Sequence, residues 1–408
     1  MERAHTNNNF GILIDGYKKD NPYLDTMFTK EFSAPFKYKQ QGSVALSTTF
    51  ENCTFNEDVK IVSDENKHCV LTFVDCIFEK DVIAKDAVMQ GKVRFRNCHF
   101  KGYVNFRNTT FNALLDLWRC RFEKETIFYK TDFMDIVVLS AVTFNKSVLF
   151  TYALIDKLLI LRGTKAEAGF DLSLAIISGD LSVFNFRLRA YEAFDVTISA
   201  REELKSSKEK TFDEIYEDIY EKAVSEKGVI PIKNQRETYR ILKAEFESKK
   251  SIAQSLQYKY LEKETFRKEL KQKYIEYKKE DSFKKSFAKL KYNVSNFLDR
   301  INLKLNKISN SYGISYGKAF AFIIGFGWLF FYFSLIATDS FEFSLNPLEW
   351  EFDKGLGYFI QYLIPTHKFD YMGEEVKLTS CFYLFDFFGR TFVGYGIFQF
   401  IQAFRKYR

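Results

Sequence analysis

Residues 93–158 read VRFRNCHFKGY, VNFRNTTFNAL, LDLWRCRFEKE, TIFYKTDFMDI, VVLSAVTFNKS and VLFTYALIDKL, six consecutive units of eleven. A fixed period of this kind marks a stack of like structural units, and it takes precedence over local propensity. The period extends upstream through LTFVDCIFEKD at Leu71 and VIAKDAVMQGK at Val82, and fades downstream near Tyr191. An earlier unit begins at Thr48, and an irregular unit of twelve from Val59 is expected to bulge as a loop around residues 64–68.

The third and eighth positions of each unit are large and apolar, as in Phe73 and Phe78, Phe95 and Phe100, Phe106 and Phe111, Leu117 and Phe122, and Phe128 and Phe133. The sixth is small, running Cys76, Ala87, Cys98, Thr109, Cys120, Thr131, with cysteine returning every 22 residues. The alternation predicts two units per coil of about 22 residues, with Cys76, Phe78, Cys98, Phe100, Phe111, Cys120, Phe122 and Phe133 filling the interior. Thiols spaced this way, with no basic neighbour to activate them, read as small apolar filling rather than as redox or metal chemistry. The even spacing likewise fits neither a disulfide framework nor a zinc site.

The Phe-x-x-Cys-x-Phe blocks between Thr48 and Tyr191 resemble the pentapeptide-repeat family. The resemblance implies a right-handed β-solenoid whose four-sided coils point a small and a large apolar residue inward. The 5 + 6 spacing departs from a strict five-residue repeat, which leaves the cross-section of the coil open. Some members of the family imitate the DNA duplex, which requires an acidic rod. Residues 48–191 hold 19 Lys plus Arg against 18 Asp plus Glu, so no nucleic-acid role is expected.

Beyond Tyr191 the apolar period becomes helical. Ser199 with Glu202, and Asn234 with Glu237, have the spacing of capping boxes, and Gly228 and Pro231 break the pattern between them. Further on, Phe283, Phe287, Leu290, Val294, Phe297, Ile301, Leu305 and Ile308 form one stripe at helical steps. Lys284, Lys285, Lys289, Lys291, Lys304 and Lys307 lie outside the stripe, and residues 271–318 hold 12 basic against 4 acidic residues. A basic amphipathic helix of this type either lies on an anionic leaflet or pairs with copies of itself; its place before an apolar segment favours the leaflet.

Residues 319–338 (AFAFIIGFGWLFFYFSLIAT) contain no charge and are long enough to cross a bilayer. The stretch 339–381 carries 8 acidic and 3 basic residues, whereas its two flanks are basic. The positive-inside rule then places both termini in the cytoplasm and requires a second span, read at residues 382–404. That span holds Asp386 and Arg390, four apart on one helical face. Intramembrane charges usually pair and face a bundle interior, so the pair reads equally as a pore-lining or gating pair and as a structural bridge. Residues 355–365 are apolar but too short to cross, which suits a re-entrant or interfacial segment.

The order of span, short segment and span over residues 319–408 resembles a two-helix cation-channel subunit. The tetrapeptide Val393, Gly394, Tyr395, Gly396 matches the letters of a potassium filter but lies inside the second span, where a filter would not stand. Gly389, Gly394 and Gly396 are therefore expected to permit close helix packing.

The expected architecture is mixed: an N-terminal cap (1–47), a β-solenoid (48–191), a helical region (192–282), a basic juxtamembrane helix (283–318) and a two-span membrane domain (319–408). No catalytic constellation, cofactor motif or metal motif stands out, and His99 is expected on the solenoid surface. The expected function is recognition or scaffolding by the solenoid, coupled to oligomerised hairpins that conduct ions or permeabilise the membrane. The competing reading is a membrane-anchored scaffold without conduction. Membrane lipid, further copies of the chain, a protein on the solenoid and permeating ions are the expected partners. The expected location is a bacterial inner membrane.

Overall fold

The computed structural model describes residues 3–5, 23–36, 47–64, 70–205, 211–279, 286–339, 352–373 and 376–405. The chain divides into two compact units, Met1–Lys249 and Lys250–Arg408.

The first unit is built on a β-solenoid. Val93–Arg96, His99–Phe100, Val104–Asn105 and Thr110–Phe111 form the four sides of one coil, and each side belongs to a different sheet. The next coil begins at Leu115–Trp118, where Leu115 lies beside Val93, 22 residues earlier, in parallel register. The described residues contain four such sheets of nine, seven, five and eight strands. The cross-section is thus four-sided, and each eleven-residue unit supplies half a coil. Of the loop expected around residues 64–68, residues 65–68 lie outside the described residues.

Each coil repeats the same interior. Phe55, Phe78, Phe100, Phe122 and Phe144 stack face to face, with ring centroids 4.9, 4.7, 4.4 and 4.8 Å apart. These spacings match the roughly 4.8 Å rise between neighbouring strands, so ring stacking and backbone pairing satisfy the same geometry. The sixth position is small for a second reason. Thr131 Oγ1 donates to the carbonyl of Phe106 in the coil below at 2.7 Å, and Cys98 and Cys120 direct Sγ–H at Phe73 and Phe95 in the same way, at 3.5 and 3.2 Å. Cys76, Cys98 and Cys120 are all buried.

The fifth position carries a feature that the apolar pattern does not reveal. Asn97, Asn108, Arg119, Lys130, Ala141, Tyr152, Gly163 and Leu174 all have φ between 53° and 66°, one left-handed corner per unit. Asn and Gly tolerate this region, whereas other L-residues are strained in it. Replacing Ala141 with Gly is therefore expected to raise stability by about 0.5–1 kcal/mol, read as a higher unfolding midpoint in denaturant.

Three helices complete the unit: α1 (Val196–Leu204), α2 (Phe212–Ser225) and α3 (Ile232–Ser248). Their start signals differ from those expected. Asp195, not Ser199, caps α1 by accepting from Ile198 N. The capping box is Thr211 with Glu214, on α2. Helix α3 begins immediately after Pro231, whose fixed φ suits a helix entry. Asn234 consequently lies within its first turn and is buried.

Val224 and Ile230 from this helical segment pack on Ile127, Tyr129 and Leu149 of one solenoid face. The buried Asp171 fixes α3 to the coil. Its Oδ2 accepts from Thr151 Oγ1 (2.6 Å) and Asn234 Nδ2 (3.0 Å), and its Oδ1 from Ser173 N (2.8 Å) and Thr238 Oγ1 (3.2 Å). Four donors replace the hydration that burial removes from the carboxylate.

The second unit is helical: α4 (Ile252–Lys279), α5 (Ser286–Asn310), α6 (Tyr316–Ile336), α7 (Phe352–Tyr362) and α8 (Ser380–Phe404). Helices α6 and α8 run antiparallel in contact. Tyr316 meets Phe404 at one end (5.3 Å between centroids), Phe326 stacks on Phe392 (5.0 Å) midway, and Thr338 bridges to Leu378 at the other end.

The polarity of this unit is inverted relative to a water-soluble bundle. Phe320, Trp328, Ile336, Leu384, Phe387, Phe398 and Ile401 are exposed, each by half or more of its surface, whereas Ser334, Asp386 and Gln399 are buried. Among the described residues, α6 is the one helix long and apolar enough to cross a membrane, and only 28% of its apolar window is buried. Helix α8 is longer, but Asp386, Arg390, Gln399 and Gln402 lower its hydropathy. Hydropathy therefore supports one span where the sequence reading expected two.

Candidate functional site

The second unit brings Asp386, His367 and Arg390 together where α7 meets α6 and α8. Close approach is set by three glycines. A Cβ on Gly327 would stand 2.5 Å from Leu363 Cδ2, and one on Gly396 would stand 2.7 Å from Ile323 Cγ1. A Cβ on Gly389 would collide with the hydroxyl of Tyr362. Gly389 and Gly396 thus stand at close approaches, as does Gly327, which the sequence reading did not single out. At Gly394 a Cβ would meet nothing within 4 Å. This glycine occupies a helical step away from the α6 seam. Val393, Gly394, Tyr395 and Gly396 all lie within α8, whose backbone carbonyls are engaged along the helix, so they form no filter.

Asp386 is fully buried at the centre of this junction. Arg390, one turn along α8, donates from Nε to Asp386 Oδ2 at 2.6 Å. The other oxygen, Oδ1, lies 2.8 Å from Nε2 of His367, in the segment that follows α7. His367 Nδ1 lies 2.7 Å from the carbonyl oxygen of Ile364. Both imidazole nitrogens therefore face acceptors, and a ring protonated on both satisfies both contacts. The Arg390 guanidinium also stacks over the Phe369 ring at 4.4 Å, which spreads its charge over an aromatic face.

Tyr362, Tyr371 and Phe382 wall the cluster. The Tyr371 hydroxyl and the Arg390 Nη2 are buried without a hydrogen-bond partner among the described residues. An open cavity of about 660 Å³ adjoins Tyr371 and His367, lined also by Tyr358, Gln361, Lys368 and Asp370.

The sequence reading paired Asp386 with Arg390 and passed over His367. The histidine lies 19 residues from its partner, beyond a turn, and no periodicity connects them. The available signal was compositional, a histidine two residues after Pro365 in an apolar hairpin that also contains a carboxylate. Chemically, the arrangement is a carboxylate held between a guanidinium and an imidazole. It can fix α7 to α8 or hold a proton between Asp386 and His367. The described residues contain no cluster of three or more His, Cys, Asp or Glu able to hold a metal ion.

The other candidates are dispersed. His99 is partly exposed on the solenoid surface, with Nε2 2.9 Å from Glu123 Oε1. Its contact, with those of Asn145 and Arg121, holds the Glu123 carboxyl down at about 2. Of the expected basic face, Lys304 is exposed, while Lys307 turns away and donates to Glu264 Oε2 at 2.8 Å. Lys284 and Lys285, and the side chains of Lys289 and Lys291, lie outside the described residues.

No curated protein and no solved structure matches the chain. Residues 73–121 match the family model described as pentapeptide repeats (9 copies), so this stretch of the solenoid is similar to that family.

Proposed function

We propose that the second unit is a membrane-embedded hairpin of α6 and α8 whose copies together form an ion-conducting element, and that the solenoid recognises or scaffolds a cytosolic partner. The observation that supports this best is the fully buried Asp386, with His367 and Arg390, inside a helical unit that turns Phe, Trp and Leu outward. Lipid contact explains the apolar exterior, and a passive anchor has little need of the charges within. Helix α7, too short to span, takes the place of the short segment between the two spans. One hairpin cannot enclose a pore, so conduction requires several copies.

The test is to purify the full chain in detergent, measure its copy number and reconstitute it in liposomes for ion flux. Ion flux from a defined oligomer is the expected result; a correctly assembled protein that is silent under every trigger would leave the anchored scaffold. Reporters at the N-terminus and after Arg408 are both expected to signal cytoplasm, and a periplasmic signal from either would refute the hairpin in an inner membrane.

One observation favours the scaffold reading. Both oxygens of Asp386 are already engaged within the chain, which is what a bridge that only braces helices would show.

A further inference from the structure

Helix α5 is amphipathic in the wrong sense for water. Its inward side carries Asn296, Leu303 and Asn310, all buried. Leu303 packs with Leu270 and Tyr312, and Asn310 Nδ2 donates to Gln399 O of α8 at 3.1 Å. Its outward side exposes Val294 (49%), Phe297 (61%), Leu298 (56%), Ile301 (39%) and Ile308 (49%). At 100° per residue these five fall within one arc of roughly 100°, opposite Leu303. Among the described residues, no other element of the unit covers that arc.

Two facts identify the occupant. A tight turn, with Ser311, Tyr312 and Gly313 all at positive φ, joins the end of α5 to the start of α6. Once α6 inserts, α5 is held at the bilayer surface. The segment is also strongly basic, with 12 Lys plus Arg against 4 Asp plus Glu over residues 271–318. On the helical wheel Lys291 and Lys304 flank the apolar arc on opposite sides, the arrangement that lets lysines reach headgroups while the arc enters the acyl boundary. A coiled coil with a second copy fits less well. Continuing the heptad from Val294, Phe297 and Ile301 puts the exposed Lys304 in the next seam position, and Leu298 widens the arc beyond a two-position seam.

We propose that α5 is an interfacial helix that binds the surface of an anionic phospholipid leaflet through Val294, Phe297, Leu298, Ile301 and Ile308. The proposal rests on the insertion of α6 put forward above, and not on conduction. The leaflet fixes the depth and tilt at which the hairpin enters, which makes the lipid headgroups a determinant of its geometry.

The test uses the full chain with Cys69 and Cys381 replaced by serine and one nitroxide-labelled cysteine at Phe297, Ile301, Asp299 or Trp328. It is reconstituted in vesicles of phosphatidylcholine alone or enriched in phosphatidylglycerol. In the anionic vesicles, labels at Phe297 and Ile301 are expected to favour collision with oxygen, the label at Asp299 with an aqueous nickel chelate. Reversing Lys291 and Lys304 to Glu is expected to reduce the lipid-facing population several-fold per lysine. If Phe297 is as wet as Asp299 while Trp328 faces lipid, this proposal fails and the membrane reading stands. If Trp328 is wet as well, both fail. Spin–spin broadening at Phe297 would identify a second copy as the occupant and overturn the lipid assignment.

Discussion

Asp386→Asn is expected to abolish or redirect ion flux while the protein still inserts. The substitution retains shape but removes the only negative charge between Arg390 and His367, leaving the guanidinium uncompensated in a buried setting. Removing one partner of a buried pair typically costs about 3–5 kcal/mol, because the remaining charge has lost its neutralising contact. The stability change alone does not separate a gating group from a brace, so the diagnostic is the exchanged pair Asp386→Arg with Arg390→Asp. If the cluster lines a conduction path, the exchange restores assembly but not ion preference, because the sign of charge at each depth is reversed. If the cluster is a brace, the exchange recovers nearly all behaviour. His367→Gln sharpens the comparison, since Gln can keep one hydrogen bond to Asp386 but carries no proton of its own to lose. Single-channel recording of the four proteins, alongside their oligomeric state in detergent, is the measurement.

Cys98→Arg is expected to destroy the solenoid around it, and Cys98→Ala to be nearly silent. The thiol is buried and makes weak contacts with the Phe73 and Arg96 carbonyls, so alanine costs about 1 kcal/mol. Arginine at the same place puts a long cation between Phe stacks with no acid to meet it, a cost of several kcal/mol. Because each coil rests on its two neighbours, the damage extends to the coils on either side. Burial also raises the Cys98 thiol well above its usual range, so a thiol reagent is expected to leave it unmodified until the chain unfolds. Rapid maleimide labelling of Cys98 itself in the native protein, or a wild-type denaturation profile for the arginine variant, would contradict the interior assignment.

The solenoid was legible because two of its constraints recur in the letters. Positions that face inward must be large or small in turn, and repetition at eleven exposes them without reference to any other part of the chain. Its corners were not legible, because Asn97 and Asn108 announce a left-handed residue while Arg119, Lys130 and Tyr152 adopt the same φ under pressure from the stack. Tertiary repetition overrides local preference there. The helix starts failed for a related reason: Asn234 has the chemistry of a cap but was used to bind Asp171, 63 residues away. The same limit applies to His367, whose role depends on a contact between segments with no shared period. The apolar stretch at α6 was plain from composition, whereas α8 mixes charge with aromatic bulk, and hydropathy alone does not distinguish its uses.

The left-handed corners have a consequence for how such a rod can change. They fall in two lines, Asp75, Asn97, Arg119, Ala141, Gly163 and Asn185 along one edge, and Asp86, Asn108, Lys130, Tyr152 and Leu174 along another. Each line advances by one strand spacing, about 4.8 Å, per coil. The two edges are therefore rulers whose graduations are set by the backbone, while the side chain at each mark is free to vary from Asn to Tyr. Adding or deleting 22 residues would lengthen or shorten both rulers by one mark and leave the chemistry of every other mark unchanged. Reach and surface identity are thus separately adjustable, and a partner that reads one edge could be followed across variants of different length by the displacement of its footprint in whole coils.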